Sequence, residues 1–109
     1  MAKYLISFPS ASMVLAPEDF DAVVESSHEA IRGAKAAGVY VFAGGINEDV
    51  DPVLVHADGS ITQETSQLDG GFCVLEVETR EDAERWAARI AAGCRTPQEL
   101  REFQYDPES

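Results

Sequence analysis

The alternation of apolar and polar positions predicts a chain of short strands interrupted by two helices. Residues 3–8, KYLISF, alternate with a period of two and place Tyr4, Ile6 and Phe8 on one side of a strand. Residues 9–16 connect it to a helix start at Pro17, whose fixed φ suits a first turn; Glu18, Asp19 and Asp21 complement the positive end of the helix dipole. This helix runs to about Ala37 and stops at Gly38, with Phe20, Val23, Val24, Ser27, Ile31 and Ala34 as its buried stripe. VYVFAGG, 39–45, reads as a second strand and INEDVDP as an acidic loop. VLVHA and SITQE, joined by Asp58-Gly59, read as a β-hairpin with a type I′ turn. FCVLEVE is the next strand, behind Gly70-Gly71. Thr79 then caps a second helix, with Asp82 in the capping-box position, Ala83, Trp86, Ala87, Ile90 and Ala91 inward, and Gly93 as its close. LREFQY, 100–105, reads as an edge strand.

The order is β-α-β, an inserted hairpin, then β-α-β. It is an α+β arrangement that matches the ferredoxin-like split βαβ plan. One domain over residues 1–106 accommodates it, with 107–109 as a polar tail. Two helices cover only one face of such a sheet, so the other should be polar if the chain stands alone. The pattern says otherwise. Cys73, Leu75 and Val77 alternate with Phe72 and Val74, and Val39, Val41 and Ala43 alternate with Tyr40 and Phe42. Burying one large apolar side chain is worth about 1.5–3 kcal/mol, so several left in water would be costly and adhesive. A second copy packed sheet to sheet resolves this and predicts a homodimer, with room for a small-molecule ligand between sheet, helix and loops. The alternative is that the 9–16 segment and the hairpin cover the second face.

Charge narrows the partners. Twenty acidic against eight basic residues give a net charge of -12, which argues against nucleic acid and against anionic membrane surfaces. The start, MAKYLISF, lacks the long apolar core of a signal peptide, and no stretch approaches the roughly 18 apolar residues of a membrane span. Cys73 and Cys94 lie far apart without CxxC spacing, so they read as reduced thiols in a cytoplasmic protein. Cys73 is expected in the core, and Cys94, near a helix end, to be the more accessible.

The stretch GGFCVLEVETREDAERWAARI, preceded by ETSQLD, resembles the YCII-related proteins, in the branch named for a DGPF motif. Glu64-Thr65, Leu68, Gly70-Gly71-Phe72 and Trp86-Ala87-Ala88 carry the match. HEAIRGAKAAGVYVFAGG fits that family's first helix and second strand, with His28 at the place of its helix histidine. The resemblance spans nearly the whole chain and implies a dimeric α+β barrel. It also implies a small cofactor-independent enzyme of the lyase or isomerase kind, acting on a small ring compound, or a ligand-binding or regulatory dimer; family members often accompany sigma factors. Two departures matter. Gly59-Ser60-Ile61-Thr62 stands where DGPF would be, and Ile90 stands where the related branch has an aspartate paired with the histidine.

His28 is the leading candidate for chemistry. It lies about 80° from Phe20 at 100° per residue, on the flank of the apolar stripe. An imidazole there suits a proton shuttle, whereas the ordinary alternative is a helix-surface histidine without a role. Its carboxylate partner is expected from Glu48, Asp49, Asp51 or Asp69. Gly44-Gly45 and Asp69-Gly70-Gly71, with Phe72, could bind a ligand through backbone N–H groups, or could be turns and bulges. Neither pair is a dinucleotide fingerprint, so no cofactor is implied. His28, His56, Cys73 and Cys94 lack metal-ligand spacing. Trp86 reads as core, and Arg85 and Arg89 as a solvated ion-pair face with Glu81.

Overall fold

A computed structural model describes the whole chain, Met1–Ser109. Its elements are β1 (Ala2–Phe8), α1 (Phe20–Ala36), β2 (Tyr40–Gly45), β3 (Leu54–Val55), β4 (Ile61–Thr62), β5 (Gly71–Val77), α2 (Arg80–Cys94) and β6 (Glu99–Glu102). Short 3₁₀ turns at Ser10–Ser12 and Pro17–Asp19 lie between β1 and α1. The main sheet runs β2-β5-β1-β6 with every neighbouring pair antiparallel, and β3-β4 form a separate two-stranded sheet. It is a mixed α+β protein, with both helices on one face of an antiparallel sheet. The core between them holds Ile6, Cys73 and Leu75 from the strands, Ala30 and Ala34 from α1, and Ala87, Ile90 and Cys94 from α2. No helix is long and apolar enough to cross a membrane.

Small side chains set the helix crossing. Ser26 Oγ donates to the Gly93 carbonyl, and a Cβ on Gly93 would meet the Ser26 carbonyl at 2.8 Å. Gly93 therefore does not end α2, as the sequence suggested. It is buried inside the helix because α1 comes too close for any side chain, and Arg95, at φ 55, takes the left-handed cap. The same crossing rotates the stripe of α1. Val23, Ala30 and Ala34 are buried, whereas Phe20 is 58% exposed and Val24 is also exposed. A helix that must face both a sheet and another helix turns its small residues toward its neighbour, and the large flanking ones lose cover. Arg89 likewise leaves the expected ion-pair face, stacking 4.9 Å from the Trp86 ring and against Gly33 of α1. Arg85 pairs with Asp82 and not with Glu81. At the start of α2, Thr79 Oγ1 accepts from Asp82 N at 3.1 Å, which is the expected cap.

Two turns differ from the expected geometry. In β2, the register slips between Tyr40, opposite Leu75, and Phe42, opposite Val74, so Val41 is an extra residue in a β-bulge. Val39, Tyr40 and Ala43 then pack against the core, and Val41 and Phe42 face out. In the hairpin, Gly59 alone has positive φ, His56 O accepts from Gly59 N, and His56 N donates to Ser60 O. That is a type I turn followed by a left-handed glycine, a three-residue loop and not a type I′ turn.

The second sheet face remains bare. Along one row it carries Phe42, Val74, Leu5 and Arg101; along the next, Gly44, Phe72, Ser7 and Glu99. Phe42 is 60% exposed and Phe103 44%. Neither segment expected to cover it does so: Met13 packs on the helix side, and the hairpin exposes Leu54, Val55 and Ile61. The molecule is a slab of 43 × 42 × 19 Å with 7624 Å² of accessible surface. A compact monomer of 11.8 kDa would show about 5,900 Å².

Gly70, at φ +87, makes the tightest backbone approach, since a Cβ there would lie 1.9 Å from the Phe8 carbonyl oxygen. Gly38 shares the conformation, at φ +76, with open space around it. Gly38→Ala should lose about 1–2 kcal/mol, the left-handed penalty alone. Gly70→Ala should lose clearly more, because β1 and β5 must also separate. Urea unfolding of both variants checks the ordering, and equal losses would contradict it.

Candidate functional site

The register of β2 on β5 brings the two glycine pairs together, with Gly44 opposite Phe72 and Gly45 opposite Gly71. Beside them, on the helix side of the sheet, lies a cavity of about 430 Å³ between α1, β2 and the start of β5. Ile6, Phe8, Cys73, Ile90 and Cys94 contribute to its apolar interior, and Phe8 lies over Gly71, where a Cβ would meet its ring at 2.6 Å. Along α1, His28, Ile31 and Lys35 follow one another at helical spacing down one wall. Lys35 Nζ sits 5.0 Å from the centroid of the Tyr40 ring, a cation–π distance. The Tyr40 hydroxyl accepts from Ala43 N at 3.1 Å, which holds the ring across the bulge.

Five of the residues singled out in the sequence thus line one cavity: His28, Gly44, Gly45, Gly71 and Phe72. His28 is exposed at the rim and has neither a hydrogen-bond nor an ion-pair partner. Asp69 opens onto a different groove of about 520 Å³, shared with Leu5, Ser7, Leu68 and Arg101 on the bare face; Phe72 borders both. Its carboxylate is committed to structure. Oδ1 accepts from Ser10 N at 3.0 Å and Oδ2 from Gln67 Nε2 at 3.3 Å. These bonds, the Ser10 N–H foremost, hold the Asp69 carboxyl below its ordinary range. Ser10 Oγ donates to Glu48 at 2.8 Å, so one of the four acids considered as a partner for His28 instead anchors the turn after β1. Asp49 is exposed on the following loop, its N–H bonded to Asn47 Oδ1, and Gly70 is occupied with its tight turn.

Both cysteines border the cavity and both are buried, Cys73 at 4% and Cys94 at 8% exposure, so the expected difference between them is small. The last turn of α2 lies under the sheet and not at its edge, with Cys94 among the core residues. Burial, with a smaller contribution from Cys94, pushes the Cys73 thiol up to about 11, and burial also raises Cys94. Neither is a thiolate near neutrality, so neither is an activated nucleophile. No three His, Cys, Asp or Glu side chains converge to hold a metal ion.

Sequence reasoning missed Lys35, Tyr40 and Gln98, all of which line the cavity. Lys35 was within reach, two helical turns beyond His28. Tyr40 was not, because the bulge moves it to the other face. No family model matches the chain, and no curated protein matches it significantly.

Two outcomes follow from these environments. Iodoacetamide at pH 8 should leave Cys73 and Cys94 unlabelled in the folded protein and alkylate both in urea, as read by mass spectrometry. Ready native labelling of Cys94 would contradict its burial. For Asp69, the depressed folded pKa contributes stability that is present above about pH 4 and lost as pH falls through the folded value. Asp69→Asn should therefore melt lower than wild type at pH 6 and show a shallower loss of Tm toward pH 3; parallel curves would remove Asp69 from the acid response.

Proposed function

We propose that this chain is a YCII/DGPF-like protein of ferredoxin-like fold that forms a homodimeric α+β barrel and binds a small molecule in the helix-side cavity. The observation carrying this reading is the cavity itself: His28, Gly44, Gly45, Gly71 and Phe72 meet around an apolar interior, while the imidazole has no carboxylate to orient it. A ligand-binding or regulatory dimer fits that arrangement better than a catalyst, because a general base is ordinarily positioned by a partner. No cofactor is required.

The ferredoxin-like reading draws on the strand order. β1 and β2 lie parallel on either side of β5, and β5 and β6 lie parallel on either side of β1, each pair joined by a helix. That order supports a reading as two interleaved split βαβ units. The dimer reading draws on the bare sheet face. The surface in excess of a compact monomer, roughly 1,700 Å², is shared between that face and the wholly exposed 46–68 segment, and half of it would match the 800 Å² per partner of a standard interface. The radius of gyration, 15.7 Å against about 13 Å for a compact chain of this length, points the same way. A cytosolic setting fits two buried thiols that are not bonded to each other. A second reading, a lyase or isomerase with His28 as proton shuttle, draws on the position of the imidazole at the cavity mouth.

Light scattering across a dilution series should give twice 11.8 kDa for wild type, and Phe42→Glu should shift it toward monomer. A wild-type monomer at all concentrations would remove the sheet-to-sheet assembly. A thermal-shift screen of small ring compounds on wild type and His28→Ala separates the two functional readings, since specific binding raises Tm by mass action. Hits without turnover support a binding protein; turnover lost in His28→Ala supports the enzyme.

A further inference from the structure

The cavity is an acid-free enclave in an acidic protein. The chain carries twenty Asp and Glu among 109 residues, so in proportion about three of the 17 residues lining the cavity would be acidic, and none is. Its one full cation is Lys35. Five of the eight basic side chains in the protein, all arginines, are in ion pairs, yet Lys35 has no carboxylate partner despite the acid excess. Two of the polar side chains around the cavity have a donor committed to backbone, with Gln98 Oε1 left as an acceptor. Ser27 Oγ donates back to Val24 O, and Gln98 Nε2 donates to Thr96 O. The Tyr40 hydroxyl accepts from Ala43 N and keeps its own proton to give. Lys35 Nζ and the Tyr40 O–H therefore offer donors that no acidic side chain of the cavity meets.

We infer that the cavity takes a small apolar carboxylate, its ring or alkyl body against Phe8, Met13 and Ile31 and its anionic head toward Lys35 and Tyr40. This rests on the reading that the cavity binds a ligand. A single ammonium and a hydroxyl match the charge and donor need of one carboxylate. A phosphate carries more charge and is ordinarily met by arginine forks or a ring of backbone N–H groups; no arginine lines this cavity. The interior supplies affinity through apolar burial, and the donors fix orientation.

The test compares 2-naphthoate with 2-naphthamide, nearly the same shape with and without the charge, by isothermal titration calorimetry. Wild type should bind the acid about tenfold or more tighter than the amide, as expected for a charge-assisted hydrogen bond at a partly exposed rim. Lys35→Met, which keeps the aliphatic stem, should weaken the acid about fivefold or more and leave the amide unchanged. Lys35→Arg should recover most of the loss. Circular dichroism establishes that each variant is folded. Equal affinities for the two probes, or equal weakening of both by Lys35→Met, would overturn the carboxylate assignment while leaving a ligand-binding cavity. Binding of neither probe would overturn the cavity reading along with it.

Discussion

The contact on which the structure depends is between two stretches of backbone. The carbonyl oxygen of Phe8 lies where a side chain at position 70 would begin, so only glycine allows β1 to end against the start of β5. Once that approach is made, Phe8 must stand opposite Gly71, and the register of the central pair follows residue by residue to Ala2 opposite Val77. A slip of one residue would exchange every inward side chain for an outward one. The neighbouring bonds reinforce the junction. Gly70 O accepts from Ile46 N at the exit of β2, and Asp69 holds Ser10 as the chain leaves β1. The mouth of the cavity lies against this junction, so its shape is set by the central register more than by its own lining.

Around that junction the two faces of the sheet are handled differently. The helix side is closed by small residues, with Ser26, Ala30 and Gly93 allowing the helices to approach and to press evenly on Ile6 and Leu75. The price is little apolar area per helix, so few large side chains carry the core; Ile6 and Leu75 are its largest fully buried members. The other side is closed by nothing in the chain. The molecule is a slab two layers thick with Phe42 and Phe103 exposed on its outer layer.

Much of the element order was legible, because strands and helices have different periods. The two-residue alternation of 3–8 and 72–78 and the cap at Thr79 are local signals, and they survive folding unchanged. What was lost depends on neighbours. Periodicity finds a stripe on α1 but cannot know that a second helix pulls it toward Ser26 and Ala30. Gly93 is written with the same letter whether it ends a helix or lets another one touch it, and nothing in the sequence marks Arg95 as the left-handed residue. At the site, His28 and the glycine pairs were legible as residue types in suggestive positions. That Gly44-Gly45 would meet Gly71-Phe72 required the register. That no acid would line the cavity required the whole fold, since Glu48 and Asp69 look like plausible partners for a histidine until their bonds to Ser10 are seen.

The bulge at Val41 makes chain length at that point part of the molecule's identity. Tyr40 and Phe42, two residues apart, would share a face in a regular strand; one extra residue sends the first to the cavity and the second to the outer sheet. Substitutions at either position can then be accepted or rejected separately, so the pocket and the outer face are free to diverge along independent evolutionary lines. A single deletion there would couple them again. Among descendants of this chain, an insertion or deletion within 40–43 should therefore be rarer than side-chain replacement, even though the segment lies on an exposed edge strand, where length changes are ordinarily well tolerated.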